Sequence, residues 1–258
     1  MTESFRSFDG TRLAYDVSGD GPSVVLLHGF AADAHTNWHR PGIVAALVDA
    51  GYRVITPDAR GHGRSEHPRT AAAYRDGALV RDASALLDHL RLDRAHFVGY
   101  SMGAMTTARV AVAEPRVRSV VLGGVAVDIA RTGAPVSRDI VADALVATDP
   151  ATIEQPVALA FRRFADATGA DREALAVLMR SGDSGPVDLA AITTPALVVF
   201  GAEDPLAATA PQLAQGIRGA HLRRVRGDHL TAVTDPAFAQ AVVDFLDAVT
   251  GTGLPAPA

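Results

Sequence analysis

A serine lies between two glycines in the segment Gly99-Tyr100-Ser101-Met102-Gly103. The apolar residues just before it are typical of a strand end, and residues 104–113 after it have the composition of a helix. A strand-to-helix turn brings two backbones close together, which favours glycine two residues on either side of the serine. The turn also exposes the serine oxygen beside the N-terminal amides of the helix. The pattern therefore predicts a nucleophile at Ser101, the alternative being a glycine-rich turn with an incidental serine.

A serine hydroxyl is a weak nucleophile, so it needs a base to accept its proton and a group that orients the base. The chain has nine histidines, no cysteine and no lysine, because all 24 basic residues are arginine. Thiol nucleophiles, disulfides and Schiff-base or pyridoxal phosphate chemistry are thereby excluded. A net charge of −5 without blocks of like charge gives no indication of nucleic-acid or membrane binding.

The elements that must position these residues follow from the apolar pattern. With 258 residues, 48% of them hydrophobic, the chain is long enough for one large domain. Residues 5–8 and 12–17 predict an antiparallel hairpin around Asp9-Gly10. Short apolar runs then alternate with helical patterns, which predicts an α/β fold with a mostly parallel sheet of about eight strands and helices on both faces. The runs are 24–27, 54–56, 96–98, 117–122, 196–200 and 221–225.

Strand patterns are missing between residues 125 and 192, where alanine-rich helical patterns are interrupted by glycine and proline. We expect a helical lid at residues 127–190, inserted after the sixth strand of a core formed by residues 1–126 and 191–250. A separate domain is the alternative, although about 65 residues is small for an independent core. The tail 251–258 is expected to be disordered.

Four segments together resemble the α/β-hydrolase fold superfamily. The first is the glycine-flanked Ser101. His28-Gly29-Phe30 resembles the family's His-Gly oxyanion segment, residues 58–65 resemble its Asp-x-Arg-Gly-x-Gly-x-Ser loop, and residues 195–204 resemble the strand that delivers its triad acid. The resemblance covers residues 12–127 and 192–250, and the expected lid carries no family signature.

The resemblance implies a catalytic triad of Ser101, Asp204 and His229, which occur in the family's chain order. Asp228 directly before the histidine and Pro205 directly after the acid depart from the usual pattern. Asp128 is the rival triad acid, because some relatives carry the acid after the sixth strand.

The resemblance also implies an oxyanion hole made by the backbone N–H groups of Phe30 and Met102, with His28 holding the loop. An apolar substrate pocket is expected between the first loop and the lid. Its candidate side chains are Trp38, Phe161, Phe164, Leu175 and Met179. No cofactor is implied, and His35 and His39 lack the glutamate of a zinc-protease motif, so no metal is expected.

The activity implied by the resemblance is that of a carboxylic ester hydrolase acting on a small, fairly apolar ester. The same triad serves lactonases, thioesterases, carbon–carbon bond hydrolases, cofactor-free haloperoxidases or perhydrolases, and hydroxynitrile lyases. Haloalkane dehalogenases and epoxide hydrolases place Asp at the position of Ser101. A non-catalytic ligand receptor on the same fold is the alternative from another class.

The expected partner is a small-molecule substrate, without nucleic acid or membrane, and the oligomeric state is left open. The first ten residues lack the apolar run of a signal peptide, so a cytoplasmic protein is expected.

Overall fold

The computed structural model describes residues 2–127, 136–182 and 185–251. Eight strands form one sheet in the order β1-β2-β4-β3-β5-β6-β7-β8. Strand β2 pairs antiparallel with β1 and β4, and the other neighbours are parallel. This architecture confirms the predicted fold class. The strands are β1 Glu3–Arg6, β2 Arg12–Ser18, β3 Ser23–Leu27, β4 Arg53–Pro57, β5 Ala95–Tyr100, β6 Val117–Gly123, β7 Ala196–Gly201 and β8 His221–Val225.

Helices cover both faces of the sheet. They are α1 Ile43–Asp49, α2 Ala78–His89, α3 Met102–Ala113, α4 Arg138–Val146, α5 Pro156–Thr168, α6 Arg172–Ser181, α7 Ala210–Gly216 and α8 Pro236–Thr250. Helices α2, α3 and α7 contribute to the core cluster on one face, and α1 and α8 to the cluster on the other. Because both faces are covered, consecutive residues of the central strands are apolar, as Val24, Val25 and Leu26 are.

The N-terminal hairpin has a longer connection than the sequence predicts. Strand β1 ends at Arg6, and residues 7–11 form the loop, in which the N–H of Ser7 donates to the carbonyl of Thr11. Gly10 takes a φ of 87°. The hydroxyl of Ser7 donates to Asp82 on α2. Ser7 is thus bonded to α2, and the strand ends one residue before it.

A buried arginine joins three separate parts of the chain. The guanidinium of Arg60 is fully buried and donates to Asp9 in the hairpin loop and to Asp82 on α2. Burial opposes ionisation of Asp9, but the hydrogen bonds from Arg60 and Thr11 outweigh it and lower the pKa of Asp9 to about 2. Loss of Arg60 would leave the buried carboxylate of Asp82 without a cation, so the network fixes the loop that contains Arg60.

Helices α4, α5 and α6, named here the helical insert (residues 138–181), lie in the chain between β6 and β7. They share a third core cluster with Phe30 and Met102. Arg162 on α5 donates to the carbonyls of Ala144 and Ala147, which fastens α5 to the end of α4. The lid boundaries 127–190 stay a prediction, and residues 252–258 of the expected tail lie outside the described residues.

The fold depends on a close contact between α3 and β3, which a substitution can test. A Cβ atom at Gly103 would overlap the backbone carbonyl of Leu27. We expect Gly103→Ala to destabilise the protein by about 3 kcal/mol, because backbone cannot move aside as a side chain can. Gly185→Ala is the matched control, since a Cβ there meets no atom within 4 Å, and should change stability by less than about 0.5 kcal/mol. Urea unfolding measures both, and equal effects would contradict the analysis.

Candidate active site

The turn at Ser101 joins β5 to α3 in a strained conformation. Ser101 has φ 52° and ψ −115°, a region that few residues with side chains occupy. A Cβ at Gly99 would overlap the carbonyl of Gly103. The two glycines therefore permit the turn, as the sequence predicts, and the N–H of Ser101 donates to the carbonyl of Gly123 on β6. The serine hydroxyl is thereby held at the carboxyl edge of the sheet.

Three of the predicted residues form one chain of hydrogen bonds. The Oγ of Ser101 lies 2.9 Å from Nε2 of His229, and Nδ1 of His229 lies 2.9 Å from Oδ2 of Asp204. A carboxylate only accepts, so Nδ1 carries the proton and Nε2 accepts from the serine hydroxyl. The side chain of Asp204 is fully buried and that of His229 is 14% exposed. The arrangement can take a proton from Ser101.

Asp204 is held by the turn that begins after β7. It caps the short 3-10 helix Pro205–Ala207, where its Oδ1 accepts from the N–H of Leu206 at 2.8 Å. Proline suits the first position of such a turn because its missing N–H has no partner there. One carboxylate oxygen is thus used by the backbone, and the other is left to face His229.

Asp228 organises the loop that carries His229. Its Oδ1 accepts from the N–H groups of Leu230 and Thr231, and the hydroxyl of Thr231 donates to the same oxygen. The hydroxyl of Thr231 is the main reason that the pKa of Asp228 lies below its usual range. Tyr100, beside Ser101, donates its hydroxyl to the carbonyl of His229 at 2.8 Å. Asp228 therefore fixes the turn and does not compete with Asp204 for the imidazole.

The His-Gly segment is tied down by the loop of residues 58–65. His28 donates from Nδ1 to the carbonyl of Gly29 and accepts the N–H of Ala59 at Nε2. His62 accepts the N–H of Ala31, and its burial keeps its pKa well below the usual value, so it stays neutral. Asp58 accepts the N–H of Ala34. These contacts give the residue motif 58–65 a role in holding the segment 28–34.

The two amides predicted for the oxyanion hole flank Ser101. Met102 is the first residue of α3, so its N–H has no acceptor within the helix. Gly29 lies against the serine, since a Cβ at Gly29 would be 3.5 Å from that of Ser101, and Phe30 follows it. The N–H of Gly29 itself donates to Asn37. The role of the Phe30 and Met102 amides stays a prediction.

The helical insert contacts this same segment. The hydroxyl of Thr168, at the end of α5, lies 2.8 Å from the carbonyl of Ala31, nearer than the two α5 carbonyls that it also reaches. Ala31 has a positive φ of 59°. The ring of Phe30 packs edge-to-face on Phe161 of α5. The segment after Gly29 is therefore held between the 58–65 loop and α5.

A cavity of about 540 Å³ opens beside Ser101 and His229, a size that suits a small organic ligand. Phe161 and Phe164 line it, as the sequence analysis expects. Its full lining is Gly29, Phe30, Ala32, Thr36, Asn37, Arg40, Pro41, Tyr100, Ser101, Phe161, Phe164, His229, Leu230, Val233 and Thr234.

Three of the pocket candidates lie elsewhere. Trp38 is fully buried in the core cluster under α1 and α8, because the helical turn 35–39 directs it toward the sheet. Leu175 and Met179 belong to the core cluster of the helical insert, where α6 packs against α4. The prediction that these three line the pocket is corrected accordingly.

Two cavity residues, Asn37 and Arg40, have no counterpart in the sequence predictions. Asn37 is 5% exposed, and a lone asparagine carries no motif or period that could indicate its position. The rival acid Asp128 lies outside the described residues. Among the described residues, no group of three or more His, Asp or Glu side chains is arranged to hold a metal ion. None of the described helices is long and apolar enough to cross a membrane.

Comparisons with known proteins agree with this fold. The family model of the alpha/beta hydrolase fold matches residues 22–163, more than half of the chain. The chain belongs to the α/β-hydrolase fold family. The crystal structure of an enol-lactonase from Burkholderia xenovorans is 30% identical, with a TM-score of 0.78 over 95% of this chain and 99% of that one.

Two curated relatives match over a shorter region. Epoxide hydrolase A of Mycobacterium tuberculosis is 39% identical over 106 residues, which are 40% of this chain and 32% of that protein. A 2-hydroxy-6-oxononadienedioate/2-hydroxy-6-oxononatrienedioate hydrolase of Pseudomonas sp is 40% identical over 112 residues, 42% of this chain and 38% of that protein. The matches thus span about a third of the length of these relatives. They support the family, whose named members include several kinds of hydrolase.

The backbone strain at Ser101 predicts an inverted order of stability between two variants. Ser101→Gly should be more stable than Ser101→Ala by about 1 kcal/mol, because relief of about 1–3 kcal/mol of strain exceeds the entropy cost of glycine. Val112, exposed on α3, is the control position. There Val112→Ala should be more stable than Val112→Gly by about 1 kcal/mol. Chemical denaturation measures all four variants. A Ser101→Ala protein at least as stable as Ser101→Gly would contradict the strained turn.

Proposed function

We propose that the protein is a serine hydrolase that cleaves a small, fairly apolar ester through an acyl-enzyme. The observation that carries the proposal is the chain of hydrogen bonds from Ser101 through His229 to Asp204, which opens into the cavity. The base is within reach of the nucleophile, and the base is oriented by a third group, which is the arrangement that nucleophilic catalysis requires.

In the proposed reaction Ser101 attacks the ester carbonyl while Nε2 of His229 takes the serine proton. Asp204 keeps the proton on Nδ1 and stabilises the imidazolium that forms. The imidazolium then returns its proton to the leaving alcohol, and the acyl group stays on Ser101. Water, deprotonated by the same imidazole, attacks the acyl-enzyme and releases the acid. No cofactor takes part in these steps.

The amides of Phe30 and Met102 are proposed to receive the negative charge that develops on the carbonyl oxygen. Each such donor contributes about 3 kcal/mol to the transition state in enzymes of this kind. The position of Met102 at the start of α3 supports this role, because the helix dipole favours negative charge there. The segment 28–34 is braced from two sides, which supports a fixed position for the amide of Phe30.

The cavity wall suggests which part of the molecule selects the acyl group. Phe161 and Phe164 come from α5, whereas the three triad residues come from the sheet domain. We propose that the helical insert acts as the expected lid and sets substrate preference, and that the chemistry belongs to the residues at the sheet edge. The predicted location in the cytoplasm is part of the same proposal.

Lactone cleavage and carbon–carbon bond hydrolysis are second candidates, because similar proteins are named as an enol-lactonase and as an oxononadienedioate hydrolase. Epoxide hydrolysis is disfavoured despite the similarity to Epoxide hydrolase A, since a serine occupies the nucleophile position. A panel of esters, thioesters, lactones and vinylogous diketones, ranked by kcat/KM, separates these chemistries. Binding of such compounds without steady turnover would instead support a receptor.

The nucleophile is tested by substitution and by labelling. Ser101→Ala should fold normally and lower ester turnover by about 10⁴-fold or more, because the nucleophile and the base act as a unit. A phosphonofluoridate should add once per chain, at Ser101. Ser65 is buried and bonds to the carbonyl of Asp58, so it serves as an internal control that should stay unlabelled. A label on another serine, or none, would refute the assignment.

The orienting acid is tested by paired substitutions. Asp204→Asn should lower kcat by about 10⁴-fold, because an amide can donate to Nδ1 and so favours the wrong histidine tautomer. Asp128→Asn should leave kcat within about threefold of the parent if Asp204 is the acid. Steady-state kinetics on one activated ester compares the two. If Asp128→Asn were the damaging change and Asp204→Asn nearly silent, the two roles would have to be exchanged.

A further inference from the structure

The polar groups that line the cavity differ in whether the protein already uses them. The hydroxyl of Tyr100 donates to the carbonyl of His229, and that of Thr234 donates to the carbonyl of Thr231. The hydroxyl of Thr36 bonds to Asp33, whose pKa it helps to lower against the opposing effect of burial. These three side chains are therefore satisfied within the protein.

Two donors of lining residues have no hydrogen-bond partner among the described residues, and one of them is open to the cavity. Asn37 is 5% exposed, and its Oδ1 accepts from the N–H of Gly29, which fixes the orientation of the amide. Its Nδ2 is buried without a hydrogen-bond partner. Arg40 lies three residues further on, at the end of the same helical turn, and its exposed guanidinium forms no ion pair or hydrogen bond with any described residue. Nδ2 of Asn37 has almost no solvent-accessible surface, so a ligand in the cavity does not reach it, whereas the guanidinium of Arg40 is open to a ligand.

The charge of the lining has one sign. Arg40 is the only Arg, Asp or Glu side chain among the described residues that line the cavity. The rest of the wall is largely apolar, with Phe30, Phe161 and Phe164 near the helical insert. The cavity thus combines an apolar region with a donor-only, cationic region. A guanidinium matches the two oxygens of a carboxylate in shape and in charge.

We propose that the substrate carries a carboxylate besides its scissile bond, and that this carboxylate binds to Arg40. The proposal rests on the hydrolase function proposed above and narrows its substrate class to acidic esters or lactones. Arg40 acts as a specificity-determining residue, because it contacts a part of the substrate that does not react. Loss of Arg40 should therefore raise KM for the acidic substrate. It should change kcat little for a neutral substrate.

Matched ester pairs test the proposal. The mono-p-nitrophenyl ester of glutaric acid and p-nitrophenyl pentanoate have chains of equal length, which end in a carboxylate and a methyl group. In a second pair the carboxylate is on the leaving group, in 3-carboxyphenyl and 3-methylphenyl butyrate. The parent protein should prefer the acidic member of at least one pair by about tenfold in kcat/KM, in the range of one charge-assisted hydrogen-bonded contact.

Two arginine variants provide the comparison. Arg40→Gln should remove about tenfold of kcat/KM for the preferred acidic ester and leave its neutral partner within about twofold. Arg94→Gln changes the net charge equally at an exposed residue just before β5, at the opposite edge of the sheet, and should leave both esters unchanged. Equal use of acidic and neutral esters by the parent, or equal losses in both variants, would overturn the carboxylate subsite and leave the serine hydrolase intact.

A binding measurement keeps the two proposals separate. In a Ser101→Ala background, monomethyl glutarate and 3-carboxyphenyl butyrate should raise Tm in a concentration-dependent way, and adding Arg40→Gln should abolish the rise. If neither ester of any pair is turned over by the parent and this Arg40-dependent rise is still seen, the hydrolase proposal fails and the subsite stands. An equal rise with and without Arg40 overturns the subsite.

Discussion

The close approach of helix α3 to the carboxyl ends of β3 and β5 is the constraint on which the site depends. At Gly103 the helix backbone lies so near Leu27 that only hydrogen fits between them, and Gly99 provides the same clearance on the strand side. Ser101 is forced into a left-handed conformation between these two contacts. The energy stored there is supplied by the buried sheet and by α3, whose packing leaves the turn no relaxed alternative.

The remaining parts of the site are fastened to this edge by ordinary hydrogen bonds. Tyr100 reaches the loop of His229, Asn37 reaches Gly29, and the residues 58–65 hold the segment after it. Each fastening uses a buried side chain to satisfy a backbone group that a loop would otherwise leave unpaired. The loops that carry His229 and the segment after Gly29 are therefore held by specific hydrogen bonds, which suits the fixed geometry that the proposed catalysis requires.

The sequence predicts the elements with a strong local signal. Strand β8 begins and ends at the predicted residues, because apolar runs are local patterns. The prediction that Trp38 lines the pocket is wrong because an aromatic residue in a helical turn packs equally well on a core or on a cavity wall. The sequence leaves open which face it takes, since that depends on how the turn 35–39 lies on the sheet.

Asn37 illustrates a second limit of prediction from the sequence. Its value to the site comes from its Oδ1, which accepts from the N–H of Gly29, and this contact does not follow from the residue types around it. The choice between Asp204 and Asp128 is of the same kind, because both residues follow a predicted strand. The short turn after β7, with its proline, directs Asp204 to His229, and that direction is a property of three-dimensional structure.

The hydrogen bond between Thr168 and Ala31 links the movement of α5 to the backbone conformation beside the amide of Phe30. If α5 moved away to admit a substrate, either this bond would break or Ala31 would be pulled from its left-handed conformation, next to the amide of Phe30. In the second case, under the proposed function, an anion bound at the amide of Phe30 would stabilise the docked position of α5, and docking would strengthen anion binding by the same factor. The open and docked positions of α5 would thus be two states of one equilibrium. The state that admits substrate would be the one in which the Phe30 amide is displaced.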